Sequence, residues 1–137
     1  LQTNKTKIAL DLFSSIHTVD RKKLVDKILE HPEKIKENTE FFIQVNLADE
    51  KQKTGISIDG FDKFYADATK NLKINGLMCL PPKGNDSSIY FAFLYQMAKK
   101  NNLKNLSMGM SSDFKEAILF GATHIRIGEA IMGDRFG

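Results

Sequence analysis

The sequence has a single cysteine, Cys79, so no disulfide can close within the chain. A reducing cytoplasm is the simplest home for such a chain. Long apolar runs are also missing: none approaches the roughly 18 residues of a membrane span. The opening LQTNKTK has neither a signal peptide's apolar block nor a start methionine, and it reads as a cut inside a larger protein. Excess charge of one sign is absent too. The formal net charge is +3, with Lys and Glu interleaved. Stretches such as Arg21-Lys22-Lys23 and Lys34-Ile35-Lys36-Glu37 therefore read as solvated helix faces, and neither nucleic acid nor membrane is an expected partner. The three histidines, His17, His31 and His124, show no metal-ligand spacing, and Cys79 has no histidine partner in sequence. No metal site or thiol nucleophile is supported.

What is present suffices for one packed domain. Hydrophobic residues make up 42% of the 137 and charged residues 27%, which gives both a core and a soluble surface. Five short apolar runs recur: Ser15–Val19, Phe41–Asn46, Lys73–Leu80, Asn105–Met108 and Thr123–Gly128. FFIQVN, rich in aromatic and branched residues, is the most strand-like. Segments with helical spacing lie between them. Lys22–Glu30 places Leu24, Val25, Ile28 and Leu29 on one face, and Phe61–Lys70 places Phe61, Phe64, Tyr65 and Ala68 together. Ser88–Lys100 predicts an inward face of Ile89, Phe93, Leu94 and Met97 behind a cap at Asp86, Ser87 or Ser88. Asp113–Phe120 points Phe114, Ala117 and Ile118 inward and stops at Gly121. A further helix is expected from Thr3 or Asn4 to Phe13.

Strict alternation of strand and helix means right-handed βαβ units and a parallel sheet. A (β/α)₈ barrel needs roughly 250 residues, so this chain has room for about five of the eight units. The fold class is α/β, either a small open sheet or a parallel barrel of TIM type missing its first part. Residues 1–137 read as one piece.

In such folds ligands bind at the C-terminal ends of the strands. The loop after the fourth run reads Leu106-Ser107-Met108-Gly109-Met110-Ser111-Ser112-Asp113. Gly109 permits a tight turn, Ser111 and Ser112 offer hydroxyls, and Ser112 or Asp113 can cap the next helix. The loop after the fifth run, Arg126-Ile127-Gly128-Glu129-Ala130, opens another turn of helix. Two adjacent turns of this kind favour an anion, and barrels commonly bind phosphate between the loops after their last two strands. Arg126, flanked by Ile125 and Ile127, is either an ion-pair partner or a donor aimed at a ring nitrogen or carboxylate. Met78, Met108 and Met110 stand at strand ends, where they either fill core or pack on a flat ring.

The run LSMGMSSDFKEAILFGATHIRIGEAIMG resembles the C-terminal signature of the YggS/PROSC group, the pyridoxal phosphate homeostasis proteins related to the alanine racemase N-terminal barrel. LQTNK at the start, HTVD at 17–20, QVNLADEKQKTG at 44–55 and GLM at 76–78 extend the resemblance across the chain in the family's order. It implies the C-terminal part of a single (β/α)₈ barrel domain binding pyridoxal 5′-phosphate. Carried over, Ser111 takes the phosphate with its hydroxyl and amide, next to Met110, and the amides of Gly128 and Glu129 complete the cradle. Arg126 faces the pyridine nitrogen and keeps it unprotonated, which weakens the cofactor as an electron sink. Glu50 and Lys53 match a charged, modulatory loop. Leu80-Pro81-Pro82 and Met132 depart from the usual pattern. The lysine that holds the cofactor covalently lies, in the family, on the first barrel strand upstream of LQTNK. Nothing here corresponds to it, and Lys5 and Lys53 match other motif positions.

The resemblance implies a non-catalytic protein that buffers or delivers the reactive aldehyde, with cofactor-dependent apo-enzymes as partners. The alternatives are a racemase relative using the same cofactor and a truncated fragment with a structural role. The isolated chain is expected to need the missing strands or self-association to cover its open edges.

Overall fold

The computed structural model describes residues 1–48, 54–82, 84 and 86–133. After a 3₁₀ turn at Thr3–Lys5 come α1 (Thr6–Leu12), β1 (Ser15–Val19) and α2 (Lys22–Leu29). A second 3₁₀ turn, Pro32–Lys34, leads to β2 (Glu40–Asn46), β3 (Ile56–Ser57) and α3 (Ile58–Ala68). The remainder is β4 (Gly76–Cys79), α4 (Ser87–Lys100), β5 (Asn105–Met110), α5 (Phe114–Leu119), β6 (His124–Arg126) and α6 (Glu129–Met132).

All pairings are parallel, and the main path runs β1-β2-β4-β5-β6, with the two-residue β3 beside β2. Strand order follows chain order without reversal. Crossovers of one hand then all fall on the same side of the sheet. Alternation within the strands agrees. Phe41, Ile43 and Val45 of β2, Leu77 and Cys79 of β4, and Leu106 and Met108 of β5 share one core with Leu24, Ile28, Phe61, Phe91, Leu94 and Ala117 of the helices. Phe42, Gln44, Met78 and Ser107 are also buried but belong to the opposite face. This is the layout of a partial barrel, with helices outside and a second, more polar face inside. Among the described residues, no helix is long and apolar enough to cross a membrane.

Local chemistry explains the boundaries. Ser57 Oγ accepts the Gly60 amide at 3.2 Å and starts α3, and Asp86 accepts the Ser88 amide at 2.9 Å and starts α4. Gly121, at φ +90°, ends the α5 segment with its amide on the Ile118 carbonyl. At Gly76, an added Cβ would lie 2.2 Å from the Asn105 carbonyl oxygen and 2.7 Å from the Phe42 ring. Only glycine lets β4 pass that closely.

Two expected helix faces are corrected. In α4 the buried stripe is Phe91, Leu94 and Ala98, while Ile89 is 69% and Phe93 43% exposed. The segment is apolar on more than one side, and the stripe that meets the sheet wins. In α5 Ala117 is fully buried but Ile118 is 52% exposed, because this short helix lies against β5 through Ala117. Exposed apolar side chains also gather towards both sheet edges: Ile8, Leu12 and Phe13 before β1, and Ile118, Leu119 and Ile125 around β6.

Candidate functional site

The two loops singled out by sequence meet. β5 and β6 are neighbours, with Met110 registered against Arg126. Beyond them, Ser111 Oγ accepts the Ala130 amide at 3.1 Å, which ties the turn after β5 to the first turn of α6. Among the described residues, the amides of Gly128 and Glu129 have no protein acceptor. A Cβ built on Gly128 would meet nothing within 4 Å, so the space before that backbone is open.

The Ser111 turn is shaped from behind. Gly109 has φ +92°, and a Cβ there would sit 2.6 Å from Ala117 Cβ and 3.0 Å from Phe114 Cα. Its bareness lets β5 bend over α5. Asp113 is the N-cap of α5, yet its carboxylate does not cap that helix. It accepts instead from the Met110 amide at 2.7 Å and the Ser87 hydroxyl at 2.8 Å, bracing the turn against α4. Met110 and Ser111 are half-buried, and Gly128 and Glu129 are exposed. The donors are a hydroxyl and backbone amides, which suit an anion such as a phosphoryl group.

Arg126 is half-buried on the inner face. Its Nη1 donates to Ser107 Oγ at 2.6 Å and its Nη2 to the Cys79 carbonyl at 2.9 Å. Among the described residues Arg126 forms no ion pair, the alternative that sequence left open: the guanidinium is held by neutral oxygens. Burial lowers its pKa below the ordinary arginine range. The Cys79 thiol is buried and pushed up to about 12 by that burial, so it is not a nucleophile.

Sequence reasoning missed two neighbours of Arg126. His17 Nδ1 lies 2.8 Å from the same Ser107 oxygen, and its ring packs on Phe42 at 4.2 Å and edge-on to His124 at 5.4 Å. Burial, then coulombic repulsion from His124 and Arg126, push His17 down to about 4. Towards the strands' starting ends, Glu40 accepts from Ser15 at 3.2 Å and Asn105 at 3.0 Å and lies 3.5 Å from His124. That layer closes the bottom of the sheet. Ser107 is 90 residues from His17, so only the strand order could have revealed the contact. Met78 and Met108 are buried. Glu50 and Lys53 lie outside the described residues.

No protein-family model matches the chain. Curated relatives do. Over 98% of its length the chain is 36% identical to the pyridoxal phosphate homeostasis protein of Aquifex aeolicus, covering 64% of that protein. It is 35% identical to the protein of the same name from Synechocystis sp. (strain PCC 6803), covering 67% of it. The chain belongs to the pyridoxal phosphate homeostasis protein family. It spans a little under two thirds of the length of the Aquifex relative. Among solved structures, PipY of Synechococcus elongatus, a COG0325 family member solved without PLP, superposes with a TM-score of 0.86 at 29% identity. The match covers 97% of this chain and 67% of PipY. PipY with PLP bound matches at a TM-score of 0.82 and 28% identity. The incomplete-barrel expectation is met, since the chain has the fold of part of PipY's TIM-like barrel.

Proposed function

We propose that this chain carries the phosphate- and ring-facing half of a pyridoxal 5′-phosphate site, and that the protein containing it holds the cofactor for homeostasis without turning over a substrate. The observation that carries this is the 3.1 Å contact between Ser111 Oγ and the Ala130 amide, which gathers the hydroxyl of one loop and the amides of the next around one opening. Ser111, Gly128 and Glu129 would hold the phosphate with neutral donors, Met110 would lie beside them, and Arg126 would present N–H groups to the pyridine nitrogen. The residues fit the group: a dianion is satisfied by hydroxyl and amide hydrogens, and the opening before Gly128 has room for it. When bound, the cofactor supplies a reactive aldehyde.

Binding in preference to turnover follows from Arg126. A guanidinium offers donors only and cannot take up the ring's proton. A ring nitrogen facing it stays unprotonated, and the cofactor is then a poor electron sink. PipY, whose fold this chain shares, has been solved with PLP bound. Cofactor-dependent apo-enzymes are the proposed recipients. The covalent lysine is expected from the part of the relatives not covered by this chain.

Titrating the chain with pyridoxal 5′-phosphate, and separately with pyridoxal and inorganic phosphate, tests the reading by absorbance and thermal shift. Reversible binding should depend on the phosphate, and Ser111→Ala should weaken it about tenfold, the usual effect of one charge-assisted hydrogen bond. Equal affinity for pyridoxal, or an unaffected Ser111→Ala variant, would overturn it. Sustained racemisation of alanine by the protein would refute the non-catalytic assignment.

A further inference from the structure

Ser107 is wholly buried on the inner face of β5, and two groups reach its oxygen. Arg126 Nη1 stands at 2.6 Å and His17 Nδ1 at 2.8 Å. A guanidinium has only donors, so at this oxygen Arg126 donates and Ser107 accepts. The serine's own proton needs a lone pair. Among the described residues, the one offered is Nδ1 of His17, which makes that ring neutral with its proton on Nε2. A proton on Nδ1, in the neutral tautomer or the cation alike, would instead aim two donors at one buried oxygen and leave the serine's own proton without an acceptor. The titratable and charged groups facing His17 are His124 and Arg126 from β6 and Glu40 from β2, and of these only Glu40 favours a protonated ring. Arg126 is held a second time, by the Cys79 carbonyl from β4. Two of its five N–H groups are thus committed to neighbouring strands, and among the described residues the other three have no protein acceptor.

We propose that Ser107 is a positioning residue for Arg126, relaying one hydrogen bond to neutral His17 so that the guanidinium is fixed in plane before any ligand arrives. The proposal rests on reading Arg126 as a donor to bound cofactor, and it adds two residues that would not touch that cofactor. A guanidinium free to rotate would lose alignment with the ring nitrogen without losing its charge, so the effect should fall on geometry.

The test compares the full chain with Ser107→Ala, Ser107→Thr, His17→Asn and His17→Phe. Asn is chosen because its Oδ1 stands about where Nδ1 does and cannot become cationic. One arm needs no cofactor: nitrogen NMR of the imidazoles, and exchange of the Arg126 guanidinium protons with water. The expected result is an Nε2-protonated His17 in the wild type. Arg126 protection should fall about tenfold in Ser107→Ala and His17→Phe, and be largely restored in Ser107→Thr and His17→Asn. The second arm measures affinity and the visible absorbance maximum with pyridoxal 5′-phosphate, which should shift in the same two variants and recover in the other two. A wild-type His17 protonated on Nδ1 overturns the proposal, as does unchanged Arg126 exchange in Ser107→Ala. If a Ser107 variant fails to fold, the His17 pair decides. Failure of the wild type to bind the cofactor, with the exchange pattern as expected, overturns the functional reading and leaves the brace standing.

Discussion

Replacing Gly109 by alanine tests how β5 hands the chain over to the Ser111 turn. The residue has φ +92°, a region an L side chain enters at a cost of about 1–2 kcal/mol. The new methyl would also stand 2.6 Å from Ala117 Cβ and 3.0 Å from Phe114 Cα, both on α5. Contacts that short force the helix outward, and overpacking of this kind costs about 1–3 kcal/mol. The sum predicts a loss of about 2–5 kcal/mol in urea unfolding, with an unchanged m-value if the native fold persists. Ala117→Gly removes the nearest clashing atom. Alone it should destabilise, since Gly in a helix costs about 1 kcal/mol relative to Ala. Combined with Gly109→Ala, it should return about 1–2 kcal/mol of the packing cost as a favourable coupling, as expected for residues in contact. The backbone strain and the Phe114 contact would remain. Additive single and double variants, or a Gly109→Ala chain as stable as wild type, would refute the claim that close approach of α5 shapes the turn.

Acid should weaken the fold through His17 before the carboxylates are involved. Its folded pKa is held down at about 4 against an ordinary 6.5, so the unfolded chain binds the proton more readily, and stability present above pH 6.5 is lost as pH falls through 4. The full difference corresponds to about 3 kcal/mol, which solvent screening of a partly buried ring reduces to about 1–2 kcal/mol. His17→Asn should flatten the stability profile across that window, and a profile unchanged by the substitution would count against the neutral ring. Gly76→Ala should be among the most damaging single methyl additions, because the Asn105 carbonyl 2.2 Å away is backbone and cannot step aside. A variant within about 1 kcal/mol of wild type by thermal or urea unfolding would contradict the close packing of β4 on β5.

Much of the architecture was legible because parallel sheets repeat one physical pattern. SIHTV and EFFIQVN are short, branched-rich runs between helical periodicities, and β1 falls on Ser15–Val19 as expected, with β2 beginning one residue early at Glu40. The anion-friendly turns were visible because Gly109 supplies the positive φ its turn adopts, Ser111 a hydroxyl and Gly128 a bare backbone. Three things were hidden. The inward stripe of α4 could not be chosen locally, since SSIYFAFLYQMAKK offers apolar residues on several sides and only the sheet selects Phe91, Leu94 and Ala98. The two-residue β3 is too short to carry a period. The Arg126–Ser107–His17 chain joins three separate strands, and nothing in the neighbourhood of His17 announces a serine 90 residues later.

The lone thiol of Cys79 acquires a use from where it sits. Its side chain is sealed in the layer between sheet and helices, while its carbonyl holds Arg126 on the other face. An alkylating reagent can therefore reach the sulfur only when β4 parts from its neighbours, and a thiol raised to about 12 reacts negligibly until then. The rate at which that one sulfur is labelled becomes a clock for how often the strand bearing the arginine's anchor comes undone.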